Sequence, residues 1–138
     1  MEHYLDNAAT TRPYPEVVSA VKEMLEYYYG NPSSTHKMGL LAERRLQQAR
    51  EEIAQALKAK SSEIYFTSGG TEADNWAIIR GAEAGARFGK HVITTAIEHD
   101  AVIKSMRYLE TLGFEVTYLP PDSDGNIKLD TLKNAIRK

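Results

Sequence analysis

Between Ile64 and Asn75 the sequence reads Ile-Tyr-Phe-Thr-Ser-Gly-Gly-Thr-Glu-Ala-Asp-Asn, and no other stretch narrows the possible folds as far. The β-forming residues Ile64, Tyr65, Phe66 and Thr67 stop at Ser68-Gly69-Gly70, and a helical pattern starts at once with Thr71-Glu72-Ala73-Asp74. The expectation is a strand, a glycine turn and a helix N-terminus. Adjacent glycines let a ligand approach the backbone, and the first N–H groups of a helix have no partner within it. Together with the helix dipole and the hydroxyls of Ser68 and Thr71, those groups can hold a phosphate. A second reading makes Thr71 only an N-cap, with Asp74 completing a capping-box-like pair. The stretch alone does not choose between them. Neither GxxxxGK[ST] nor GxGxxG is present and no lysine follows the glycines, so a small monophosphate suits the turn better than a nucleoside triphosphate.

Regular elements alternate along the rest of the chain. Pro15 suits a first helical turn, followed by Val17, Val18, Val21, Met24, Leu25 and Tyr28 on one face and by Gly30 at the end. Ahead of that helix, Asn7 to Pro13 reads as a plain turn before it reads as a segment lying against a ligand. Gly30 to Lys37 reads as a polar loop, with Ser34 or Thr35 capping a long helix whose buried stripe is Leu46, Ala49, Ile53, Ala56 and Leu57. The helix after the glycine turn, Thr71 to about Arg87, carries Ala73, Ala77, Ile78, Ala82 and Ala86 inward. His91 to Thr95 is a second strand. A helix introduced by Glu98-His99-Asp100 turns Val102, Ile103, Met106 and Leu109 inward and ends at Gly113; Glu115 to Leu119 is a third strand. Asp122 to Asn126 is a turn, and a last helix starts near Leu129.

Strands alternating with helices of this length predict parallel βαβ units, hence a three-layer α/β fold with a mainly parallel sheet and flanking helices. Ligands of such sheets sit beyond the C-terminal ends of the strands, where Ser68 to Thr71 and Ala96 to His99 both fall. An imidazole can stack on a heteroaromatic ring and titrates near neutrality, so His99 joins the candidate site, although a lone histidine at a helix start is also an ordinary cap. His3, His36 and His91 do not form a metal-ligand spacing with it.

Composition removes several classes of function. The formal charge is −2 in 138 residues, which leaves no basic field for nucleic acid. No apolar run is long enough to span a membrane, and the start lacks signal-peptide regions, so the expected location is the cytoplasm. There is no cysteine, so these residues supply neither a disulfide nor a thiol nucleophile.

Four segments, in order, resemble the start of cysteine desulfurases of the NifS/IscS type. They are Tyr4 to Thr11, Gly30 to Ser34 with His36, Phe66 to Asn75, and Glu98-His99. Those are pyridoxal-phosphate enzymes of the class V aminotransferase group with the aspartate-aminotransferase-like fold, fold type I. The resemblance implies that Gly70 and Thr71 bind the phosphate of pyridoxal 5'-phosphate, and that His99 stacks on its ring and assists proton transfer. It also implies L-cysteine as substrate, a homodimeric parent enzyme, and a scaffold protein as possible sulfur acceptor for iron–sulfur cluster or thio-cofactor synthesis. Residues 1–12 would lie near the active site and small domain of the parent, and residues 13–138 would be the first part of its large cofactor-binding domain. The family's Schiff-base lysine, pyridinium-binding carboxylate, substrate-binding arginine and sulfur-accepting cysteine lie further along than Lys138. Lys37, in Ser34-Thr35-His36-Lys37, has the wrong context for that lysine and is expected to be solvated. The expectation is therefore an N-terminal portion, inactive alone, of a cysteine desulfurase. Alternatives are a selenocysteine lyase or other class V enzyme, and a non-catalytic phosphate-binding or assembly module.

Overall fold

A computed structural model describes residues 3–137 and divides into two compact units between Tyr65 and Phe66. In the first, Asp6 accepts backbone N–H bonds from Ala9 at 3.1 Å and Thr10 at 3.3 Å, closing the expected N-terminal turn. Helix α1 (Pro15–Tyr27) follows with Pro15 in its first turn, where a missing N–H costs nothing. Its apolar face is uncovered, with Val17, Val18, Val21 and Leu25 each at least half exposed.

Helix α2 (Lys37–Leu57) is capped by His36, whose Nδ1 accepts the Gly39 N–H at 3.3 Å. The cap is thus neither Ser34 nor Thr35. The Asn31 side chain accepts the Ser33 N–H at 2.9 Å and its carbonyl accepts the Ser34 N–H at 3.0 Å. That turn uses the serines and delivers the chain to His36. Two glycines let loop and helix touch: a Cβ on Gly39 would stand 2.2 Å from the Ser34 carbonyl oxygen, and one on Gly30 would stand 2.5 Å from that of Met38. The expected buried stripe of α2 is also corrected. Gly39, Ala42 and Ala54 are buried, whereas Leu46, Ile53, Ala56 and Leu57 are exposed. Periodicity identifies an apolar face, but burial needs a second surface to cover it. Lys58, in the left-handed region at φ 54°, closes the helix.

After a 3₁₀ turn at Ser61–Glu63, Ile64 is extended, yet residues 64–67 join no sheet. The first of the three expected strands is therefore absent among the described residues. Extended backbone becomes a strand only where a neighbour accepts its hydrogen bonds.

The second unit contains a continuous helical run: α3 (Gly70–Asn75), a π-helical turn (Trp76–Arg80) and α4 (Gly81–Gly85). Strand β1 (His91–Thr95), helix α5 (Asp100–Thr111), strand β2 (Glu115–Leu119) and helix α6 (Leu129–Ala135) follow. β1 and β2 pair in parallel, His91 opposite Glu115 through Thr95 opposite Leu119, as the alternation predicts. Met106, Leu109 and Phe114 form the core, with Val92, Val116 and Tyr118 of the strands and Ile78, Ile79, Ala82 and Ala86 packed against them. Of the small residues expected inward, Ala73 and Ala77 are instead exposed.

Helix α5 ends as its sequence predicts. Gly113, at φ 81°, donates to the Glu110 carbonyl, and Phe114 donates to that of Leu109, both at 3.0 Å. This is a Schellman closure, and its apolar contact, Leu109 against Phe114, is also the core. Asp122 closes the later turn by accepting the N–H groups of Asp124 and Asn126 at 3.0 and 2.9 Å. Helix α6 packs on β2, and Arg137 forms a two-pronged ion pair with Glu115.

Candidate functional site

The glycine turn is built by the residues on either side of it. Gly69 is the N-cap of α3, at φ 167° and ψ 178°, an extended conformation, and its carbonyl accepts the first helical bond, from Ala73 N–H at 3.1 Å. The backbone N–H groups of Gly70, Thr71 and Glu72 lie ahead of that bond, where an α-helix offers no carbonyl. Thr71 is thus inside the helix, so the expected Thr71–Asp74 capping pair is not formed. The pair that forms is one-sided, with Glu72 accepting from Ser68, the residue before the N-cap. One carboxylate oxygen, Oε2, accepts both the Ser68 N–H and the Ser68 hydroxyl at 2.7 Å. These bonds, the hydroxyl's first, hold the Glu72 carboxyl below the usual range.

Around the turn the space is open. A Cβ at Gly69 or Gly70 would meet nothing within 4 Å. Thr67 Oγ1 donates to the Gly69 carbonyl at 3.1 Å, and Asn75 Nδ2 donates to the Thr71 carbonyl at 2.7 Å, so both ends of the turn are tied. The Thr71 hydroxyl has no hydrogen-bond partner among the described residues.

His99 stands four residues beyond the end of β1 and caps α5: its Nδ1 accepts the Ala101 N–H at 3.1 Å. With Nδ1 accepting, the neutral ring carries its proton on Nε2. The ring is exposed. Glu98 beside it accepts the Thr95 hydroxyl at 2.8 Å, and Asp100 is held ionised below its ordinary range by Lys104, 3.0 Å away.

Helix α3, which starts at the turn, packs against α5, which starts at His99. Two helix starts, one with unsatisfied N–H groups and a free hydroxyl, the other with a fixed imidazole, thus belong to one packed helix pair. Sheet-edge reasoning accounts for His99 but not for the turn, whose preceding segment lies outside the sheet. Sequence reading missed Glu72, because its partner Ser68 lies four residues back, one outside the capping-box spacing. It also missed the cap role of His36. Lys37 is exposed, as expected, and no group of His, Asp and Glu side chains among the described residues could hold a metal ion. Among the described residues, no helix is long and apolar enough to cross a membrane.

The family model described as aminotransferase class-V matches residues 3–138. The chain is similar to cysteine desulfurase IscS of Dictyoglomus turgidum, 51% identical over 137 residues, covering 99% of this chain and 35% of that protein. It is 50% identical over 134 residues to cysteine desulfurase IscS of Methanosarcina thermophila, covering 97% of this chain and 33% of that one. Of solved structures, a NifS-like protein superimposes over 100% of this chain and 38% of its own length, with a TM-score of 0.92 and 41% identity. SspA in complex with cysteine covers 94% of this chain and 38% of its own length, with a TM-score of 0.83 and 38% identity. The fold is that of the NifS-like proteins, and the chain spans about a third of the length of the curated relatives it matches.

Proposed function

We propose, from the premise that this chain belongs to the class V aminotransferases, that it forms the phosphate-binding turn and ring-stacking histidine of a pyridoxal-phosphate-dependent cysteine desulfurase. The observation that carries this reading is the open turn at Ser68 to Thr71 on a helix packed against the one that His99 caps. The residues present fit the cofactor's phosphate. There is space above two glycines, three backbone N–H groups have no intrahelical acceptor, and the Thr71 hydroxyl is free among the described residues.

Gly70 and Thr71 would hold the phosphate through their N–H groups and the threonine hydroxyl, with the helix dipole favouring its charge. His99, oriented by the bond to Ala101, would lay its ring on the pyridine and hold a proton at Nε2. Pyridoxal phosphate, when bound, supplies an electron sink for carbanion chemistry at a substrate α-carbon. The parent reaction is the removal of sulfur from L-cysteine: the substrate C–S bond breaks, L-alanine leaves, and the sulfur joins an enzyme thiol as a persulfide. This chain has no cysteine, so that thiol is not one of its residues. We assign the thiol and the cofactor's lysine to a further part of the parent enzyme, with residues 1–12 near its active site and 13–138 in its large domain. A cytoplasmic homodimer that passes sulfur to a scaffold protein is the corresponding setting.

The test is equilibrium binding of pyridoxal 5'-phosphate and pyridoxal to the purified chain, with L-cysteine turnover to alanine measured alongside. The expected result is a clear preference for the phosphorylated form and no turnover by the chain alone. Equal affinity for the two forms would overturn the reading.

A further inference from the structure

We propose that Glu72 is a positioning residue for the phosphate turn: by gathering both Ser68 donors onto one carboxylate oxygen, it fixes the Ser68-Gly69-Gly70 backbone so that the Gly70 and Thr71 donors face the ligand. This rests on the phosphate-binding reading above and deepens it.

A Cβ at Gly69 or Gly70 would meet nothing within 4 Å, so no neighbouring group packs on the open side of the turn, and glycine has more conformational freedom to lose than any other residue. Donors on such a segment bind an anion weakly unless something else has already ordered them. Glu72 supplies that restraint from the first turn of the helix. Its Oε2 is 2.7 Å from both Ser68 N and Ser68 Oγ, so the residue before the glycines is clamped to the helix after them. Thr67 Oγ1 to Gly69 O and Asn75 Nδ2 to Thr71 O tie the intervening carbonyls. These side-chain bonds engage the Ser68 donors and the Gly69 and Thr71 carbonyls, and none of them takes the Gly70 or Thr71 N–H group, for which the helix has no acceptor. Charge alone argues the other way, since a carboxylate near a phosphate repels it. Glu72 would then be tolerated only if ordering outweighs repulsion, and that makes the two effects separable by substitution. Glu72→Gln removes the charge and keeps an oxygen that accepts from Ser68, whereas Glu72→Ala removes both.

The measurement is the ratio of affinities for pyridoxine 5'-phosphate and pyridoxine, which lack the aldehyde and so form no lysine adduct. General damage to the fold weakens both ligands together and leaves the ratio unchanged. The wild-type chain is expected to prefer the phosphorylated form. Glu72→Ala should lower that preference about tenfold, and Glu72→Gln should keep it within about threefold. Amide hydrogen exchange without ligand provides a second reading: the Ser68 to Thr71 amides should exchange faster in Glu72→Ala than in the wild type or Glu72→Gln. An unchanged ratio and unchanged exchange in Glu72→Ala overturn the positioning role while the phosphate site stands. A ratio that rises in both variants shows repulsion to dominate and also overturns it. A wild-type ratio near one removes the phosphate reading itself, and this inference with it.

Discussion

Substitution of Gly39 by alanine tests whether close backbone approach holds the loop at Gly30–His36 onto α2. Gly39 is the third residue of that helix, where alanine is intrinsically favoured over glycine by about 1 kcal/mol at most. Against this stands a Cβ placed 2.2 Å from the Ser34 carbonyl oxygen, 2.7 Å from that of Asn31 and 2.8 Å from Ser34 Cβ. Two of these three are backbone atoms, which cannot rotate away, so the loop must lift. Lifting also weakens the His36 cap, a contribution of about 0.5–2 kcal/mol, on top of about 1–3 kcal/mol for overpacking. The steric side wins, and Gly39→Ala should lose roughly 0.5–4 kcal/mol net. Gly81→Ala is the matched control, because a Cβ there meets nothing within 4 Å and the residue is helical. It should gain about 0.5–1 kcal/mol. Urea unfolding followed by far-ultraviolet circular dichroism gives both values, and hydrogen exchange across residues 31–40 should rise only in Gly39→Ala. If Gly39→Ala is as stable as the wild type, or the two substitutions change stability in the same direction, close approach is not the reason for glycine at position 39.

Three further outcomes are expected. His99→Asn should keep the start of α5, since asparagine is a good N-cap, yet lose cofactor affinity, whereas His99→Ala should lose both; helix content by circular dichroism and ligand titration separate them. Tyr118→Phe should leave stability within about 1 kcal/mol of the wild type, because the buried hydroxyl makes no well-formed hydrogen bond among the described residues, although burial and then the nearby Glu110 carboxylate push its ionisation up; a larger loss in urea midpoint would contradict this. Glu72, Asp100 and Glu115 have carboxyl groups held below their ordinary range, by Ser68, Lys104 and Arg137 respectively. Their folded state binds protons less readily than the unfolded chain, so their stabilisation is full above about pH 4.5 and is lost as pH falls through the folded values. Urea midpoints between neutral pH and about pH 3 should decline, and more shallowly in Glu115→Gln; a midpoint that rises on acidification would refute the assignment.

What local sequence determines here is wherever one residue's own chemistry suffices. Pro15 opens α1, Gly113 ends α5 through its positive φ, Asp122 closes its turn with its own carboxylate, and β1 and β2 follow from runs of β-formers set apart by a helix. The Ser68 to Asn75 stretch likewise announces a helix start after glycines, and His99 announces a cap. Each is a contact between residues within a few positions of one another, so spacing encodes it.

Tertiary structure decided what depends on a second surface. The segment 64–67 has strand composition but gains no sheet neighbour, and α2 has a helical stripe whose leucine and isoleucine side chains stay exposed. Which donors close a turn was also settled in space. His36 caps α2 because the backbone turns helical at Lys37, which leaves Ser34 and Thr35 outside the cap position, and Glu72 binds Ser68 because the first helical turn brings its carboxylate back to the residue before the N-cap. A hydrogen bond goes to the acceptor that the backbone path brings within reach. That path, set by the packing of α3 on α5 and by the approach of Gly30 and Gly39, is a property of the folded chain rather than of any one stretch of it.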